Sequence, residues 1–205
     1  MLWFTGCATP PAAPAPRERL HKAKALLDEA GWKPGPDGIR EKDGKKLSFR
    51  LWTNAGNVVR EQYITYMQQA WKQIGVDATP ATEEWAAYLN RITETKDFEI
   101  FLVGFAWGVD PDPSTMWTTD AYKGGFNMNK YSNPEVDRLL EEALTTLDVA
   151  KRKELYVRMQ NILADELPSF IIDFPQALAA TSKRTQNLIP NAVNFRPYAH
   201  LWWVR

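Results

Sequence analysis

Phe98-Glu99-Ile100-Phe101-Leu102-Val103-Gly104-Phe105, continuing into Ala106-Trp107-Gly108-Val109-Asp110-Pro111-Asp112-Pro113, is the stretch that decides the fold. Its first half is a continuous apolar run, which predicts a strand buried on both faces and central in its sheet. Its second half is a loop stiffened by Pro111 and Pro113. Asp110 stands three positions after Trp107, at the exit of that strand. A carboxylate on a rigid backbone suits pairing with a ligand cation, because little side-chain entropy remains to be lost. The plainer alternative stays open: Asp-Pro-Asp-Pro is a turn, and Asp110 caps nearby backbone N–H groups.

Upstream of this stretch the chain alternates between helical and extended patterns. Leu20, Ala23, Leu26, Leu27 and Ala30 predict a helix over about 17–30, which Gly31 stops. Gly35-Pro36-Asp37-Gly38 is turn chemistry, 39–42 a short strand, and Asp43-Gly44 a hairpin tip. Leu47, Phe49 and Leu51 alternate with polar residues, which predicts a half-buried strand ending near Asn54. A second helix is expected over 58–74, with Tyr63, Tyr66, Met67, Ala70, Trp71 and Ile74 on its inner side. A strand over 76–79 and a helix over 83–93 follow, the helix having Trp85, Leu89 and Ile92 as its apolar stripe and Glu83-Glu84 as its charged first turn. Downstream, Asn133-Pro134-Glu135 opens a helix lined by Val136, Leu139, Leu140, Ala143, Leu144 and Leu147. Another is expected over 150–165, then a strand over 169–174. The alternation defines an α/β class, a mixed sheet with flanking helices.

Composition narrows the function. Basic and acidic residues number 25 each, so bulk charge argues against nucleic acid or an anionic membrane as partner. Nine tryptophans in a charge-neutral chain favour recognition of something partly apolar, although most such rings belong in a core. The single cysteine, Cys7, excludes an internal disulfide and a cysteine metal cluster, and the two histidines have no spaced partners, so no metal or cofactor is expected. Met1-Leu2-Trp3-Phe4-Thr5-Gly6-Cys7 imitates the end of a lipoprotein signal but lacks its basic start and full apolar length. The Ala- and Pro-rich residues that follow read as an extended linker, so 1–19 is expected to be a disordered tail.

Three stretches together carry a resemblance. They are Lys24-Ala25-Leu26-Leu27-Asp28-Glu29-Ala30-Gly31-Trp32 with Gly38-Ile39-Arg40; Phe105-Ala106-Trp107-Gly108-Val109-Asp110-Pro111-Asp112-Pro113; and Tyr131-Ser132-Asn133-Pro134-Glu135-Val136-Asp137 with Arg152, Glu154, Leu155, Tyr156 and Leu167-Pro168. In that order and spacing the chain resembles the extracellular solute-binding proteins of family 5, which include dipeptide-, oligopeptide- and nickel-binding proteins.

The resemblance implies a type II periplasmic-binding-protein-like clamshell, with 20–205 as its C-terminal lobe and no counterpart of the N-terminal lobe. A truncated gene is therefore expected in preference to a misplaced start. It further implies an extracytoplasmic, monomeric component of an ABC importer that captures a peptide-like solute and docks on a membrane permease. Asp110 would meet the ligand's α-amino group and Trp107 would wall the pocket, with Asp112 a second acidic candidate. The residues themselves add Asn127, Asn129 and Tyr131 after the Gly124-Gly125 turn, and Trp52 and Asn54 at the end of their strand, as further polar or aromatic contacts. Two rival classes remain. One is a folded remnant or permease-interaction module that binds no solute. The other is a hydrolase pairing Asp110 or Asp112 with Glu83 or Glu84, for which no nucleophile or histidine assistant is available.

Overall fold

Residues 15–106, 110, 112–175, 180–187 and 199–204 are described by the computed structural model of the chain. The chain divides between Phe105 and Ala106 into two units.

In the unit that ends at Phe105, α1 (Pro16–Glu29) opens on a proline, whose missing N–H is not needed in a first turn. It begins inside the stretch expected to be a tail, of which 1–14 lie outside the described residues. Gly31, at φ 87°, supplies the left-handed exit. A small antiparallel sheet follows, of β1 (Lys33–Pro34), β2 (Arg40–Lys42) and β3 (Lys45–Lys46). Asp43 and Gly44 at its hairpin tip both have positive φ, 51° and 74°, as a type I′ turn requires. Arg40 is buried and ties the pieces together. It donates to Asp28 Oδ1 at 2.7 Å and to the carbonyls of Trp32 and Ile74 at 2.5 and 2.8 Å.

The larger sheet of this unit contains β4 (Ser48–Asn54), β5 (Asp77–Glu83) and β6 (Ile100–Phe101), in the order β5-β4-β6 and all parallel. Helix α2 (Val58–Lys72) connects β4 to β5, and α3 (Trp85–Leu89), prolonged by a π-helical turn over Asn90–Thr95, connects β5 to β6. Leu51, Ile64, Ala78, Tyr88 and Ile92 form the buried core. The border strand β5 runs longer than expected and carries Pro80 opposite Leu51.

Several expectations are corrected here. Within the run 98–105 only Ile100 and Phe101 pair with β4; the strand lies at the side of the three-stranded sheet and is half-buried. Leu102 still donates its N–H to the Trp52 carbonyl at 2.8 Å, and the ladder ends there, where the Leu102 carbonyl accepts from Thr53 Oγ1 at 3.0 Å and Tyr88 Oη at 2.9 Å. On α2 Tyr63, Met67, Ala70 and Trp71, with Ile74 just beyond it, are half-buried as expected, but the fully buried position is Ile64 and Tyr66 is 70% exposed. Glu84 is the cap of α3, accepting from the N–H groups of Ala86 and Ala87, whereas Glu83 still belongs to β5. Trp85 accordingly turns outward, and Tyr88 with Ile92 faces the core.

In the unit that begins at Ala106, two short helices, α4 (Ser114–Trp117) and α5 (Ala121–Gly124), lead to an antiparallel pair, α6 (Pro134–Thr145) and α7 (Val149–Glu166). Val136, Leu139, Leu140 and Ala143 pack on Leu155, Tyr156 and Met159, with Trp117, Tyr131, Ile162 and Leu163 at the margins. Each fully buried leucine there contributes about 1.5–3 kcal/mol. Leu144 and Leu147, expected on the inner face, are 54% and 96% exposed. The helix stops at Thr145, and extended backbone at Thr146 carries the chain off the buried side.

After α7 the expected strand over 169–174 does not form: Phe170, Ile171 and Phe174 are exposed, and the segment has no ladder among the described residues. A two-residue ladder of β7 (Thr185–Gln186) with β8 (Trp203–Val204) is the remaining sheet.

Candidate functional site

The loop that follows the apolar run is described at Asp110, Asp112 and Pro113; Trp107 and Pro111 lie outside the described residues. The Asp110 side chain is 70% exposed, and its Oδ1 accepts from Arg152 Nη2 at 2.7 Å. Among the described residues its Oδ2 has no hydrogen-bond partner. Arg152 stands in the first turn of α7, and its guanidinium is braced four residues along by the hydroxyl of Tyr156, at 3.2 Å from Nη2 and 3.3 Å from Nε. Tyr156 itself belongs to the buried helix-pair core. Its hydroxyl and the Asp110 carboxylate raise the Arg152 pKa above the usual guanidinium range, so the charge is permanent. The result is an exposed carboxylate with one oxygen held from the protein side and one facing away from that bond.

Asp112 is placed differently. Its Oδ1 accepts from the backbone N–H of Ser114 at 3.0 Å and from the Ser114 hydroxyl, so it shapes the turn into α4. This is the capping role that the sequence left open for the neighbouring aspartate.

Asn127, Asn129 and Tyr131 lie on one loop, and each is engaged by the protein. Asn127 is buried, donates to the carbonyls of Thr118 and Tyr131 at 2.9 and 2.8 Å, and accepts from the Tyr131 N–H at 3.0 Å. Asn129 donates to the Pro168 carbonyl at 2.8 Å. The Tyr131 hydroxyl donates to Glu166 Oε2 at 2.5 Å, and burial together with the Glu166 carboxylate pushes its pKa upward. Glu166 Oε1 also accepts from Asn133 at 2.8 Å, while Asn133 Oδ1 caps α6. Because Arg152 lies at the start of α7 and Glu166 at its end, Asp110 and the Tyr131 hydroxyl are anchored roughly 20 Å apart, from the helical rise of ~1.5 Å per residue. The structure therefore does not gather Asp110 and Tyr131 around one point.

Trp52 and Asn54 belong to the other unit. Trp52 is buried in β4, and Arg91 stacks on its ring with 3.9 Å between guanidinium carbon and ring centroid. Its indole N–H is buried with no hydrogen-bond partner among the described residues. Arg91 is itself gripped by Glu83 at 2.8 and 3.1 Å and by Asp97 at 2.7 Å. Asn54 ends β4 and accepts from Arg60 Nη1 at 2.7 Å. Glu83, named in the hydrolase alternative, is thus one half of an ion pair whose arginine holds its pKa below the usual carboxylate range.

Sequence reading had not assigned site roles to Arg152, Tyr156 or Glu166. The usable signal was the i,i+4 spacing of Arg152 and Tyr156, which puts both on one helical face.

The parallel sheet flanked by helices is an α/β arrangement whose structural neighbours are type II periplasmic-binding proteins. The family described as bacterial extracellular solute-binding proteins, family 5 (middle region), matches residues 4–127, and this chain belongs to it. The oligopeptide-binding protein AppA of Bacillus subtilis is 34% identical over 156 residues, which are 75% of this chain and 29% of that protein. The dipeptide-binding protein of Escherichia coli is 32% identical over 160 residues, 74% of this chain and 27% of that one. The structure of Bacillus subtilis AppA in complex with a nonapeptide superposes with a TM-score of 0.82 at 30% identity, covering 90% of this chain and 37% of that one. NikZ from Campylobacter jejuni, in complex with Ni(L-His), gives 0.66 at 27% identity, covering 73% and 30%. The chain thus spans about a third of the length of the relatives it matches.

Proposed function

We propose that this chain is the solute-contacting portion of an extracytoplasmic substrate-binding protein of an ABC importer, and that it accepts a peptide-like solute through the ligand's amino terminus at Asp110. Family membership and the peptide ligands of the named relatives support the class. The observation that carries the residue is the exposed Asp110 carboxylate, held at Oδ1 by Arg152 and unengaged at Oδ2 among the described residues. An ammonium group meeting Oδ2 gains a charge-assisted hydrogen bond without having to order the carboxylate first. Delivery of the solute would be to a membrane permease, with the protein acting as a monomer and as a carrier, not an enzyme.

The test is calorimetry with a short peptide offered with a free and with an acetylated amino terminus. The free amine binds more tightly to the wild-type chain, and Asp110→Asn removes the difference. Equal binding of the two peptides by wild type would reject the amine site.

A non-binding remnant is the second reading. The exposed apolar segment over 170–174 favours it. It predicts no heat with either peptide.

A further inference from the structure

We infer that Arg152, braced by Tyr156, is a positioning residue for the ligand's ammonium: it fixes the rotamer of Asp110 so that Oδ2 is presented to the solute. The inference rests on the amine-site reading of Asp110 given above.

Three observations lead to it. An exposed aspartate on a loop samples several rotamers, yet Asp110 has Oδ1 fixed at 2.7 Å from Arg152 Nη2. Arg152 is only 28% exposed and is tied to the Tyr156 hydroxyl by two nitrogens, Nε and Nη2. Tyr156 is 4% exposed within the core of the α6–α7 pair. Loop carboxylate, guanidinium, phenol and core thus form one chain of contacts, each member less exposed than the one before it.

A guanidinium next to an ammonium site also repels the guest, so the two effects must be compared. Charges about 5–6 Å apart in water repel by somewhat under 1 kcal/mol, and salt screens most of this at high ionic strength. The gain from a fixed acceptor does not depend on salt. Positioning is therefore the effect that survives in high salt. A competing cation would weaken binding instead.

Tyr156→Phe separates the two, because it keeps the arginine and its charge and removes the hydroxyl that braces it. The measurement is the ratio of affinities for the free-amine and the acetylated peptide, taken at low and at about 0.5 M salt, for wild type, Tyr156→Phe, Arg152→Gln and Arg152→Lys. At high salt Tyr156→Phe and Arg152→Gln lower the ratio by about three- to tenfold, the scale of one ordinary hydrogen bond's net contribution. Binding of the acetylated peptide stays unchanged. Arg152→Lys restores part of the ratio, since it returns a donor but not the fork that reaches Tyr156. Loss of overall fold would lower both affinities and melt the protein earlier, so a fall in the ratio alone excludes a merely structural role. If wild type prefers the free amine and both Tyr156→Phe and Arg152→Gln keep the full preference, Arg152 does not position the acceptor. A rise in free-amine affinity for Arg152→Gln at high salt overturns it too. A wild type indifferent to acetylation refutes the amine site itself.

Discussion

Arg91 stands over the Trp52 ring, 3.9 Å from its centroid, and pairs with both Glu83 and Asp97. Three weak contacts on one planar cation order the end of β5, and they make one residue's protonation a matter of stability. Arg91 depresses the pKa of Glu83 in the folded state. A carboxylate whose folded pKa is lowered contributes stability that is complete above its ordinary pKa and is lost as pH falls through the folded value. Denaturant midpoints followed from neutral pH down to about pH 2 should therefore fall more steeply for wild type than for Glu83→Gln, which keeps a hydrogen-bond acceptor but cannot titrate. Identical acid limbs would show that the pair contributes nothing. Little of this was legible in the sequence. Glu83 stood next to Glu84 and read as a helix's first turn, because nothing local marks the residue at which a strand hands over to a helix. Trp52 was read as a ligand contact on its position at a strand end, but its ring is the platform for Arg91.

Helices α6 and α7 show where sequence reading works. Their apolar spacing and the Asn133-Pro134 start are local signals, and the described helices begin within a residue or so of the expected positions. Asn133 has two tasks, since it accepts from the N–H groups of Glu135 and Val136 at 2.9 and 3.3 Å and donates to Glu166 on the partner helix. Asn133→Ala should cost about 1 kcal/mol or somewhat more, at the upper side of the usual capping loss. Asn133→Asp, which keeps the cap but turns a donor toward Glu166 into a like charge, should fall between the two. Chemical denaturation of the three proteins checks the order. The extended segments were read less well, and for one reason. A strand needs a neighbour, and neither the run 98–105 nor 169–174 carries in its own residues any record of how many partners it finds. Ile100 and Phe101 find β4, and beyond them the Leu102 carbonyl is taken by Thr53 and Tyr88. The exposed loop position of Asp110 was legible, because a polar stretch after an apolar run is a local pattern. Its link to Arg152, 42 residues away, was not.

At the level of the whole chain, each of the two units has its own buried centre, around Leu51 in one and around Leu140 in the other. Leu140→Ala should destabilise its unit by about 2–5 kcal/mol, the range for deleting a buried leucine side chain. Hydrogen exchange locates the effect: amides of α6 and α7 should exchange faster, while those of β4 keep their protection. Equal loss in β4 would mean that the two centres unfold as one. The larger sheet carries one more consequence. Pro80 sits in the middle of β5 and has no backbone hydrogen to share, and proline within a strand is at home on a border. That flank is thereby a poor template for recruiting another strand. The opposite flank, beside Ile100 and Phe101, is proline-free and only two residues deep in its pairing. Whatever lengthens this sheet, from the same polypeptide or from another, is steered to the β6 side by a single missing hydrogen.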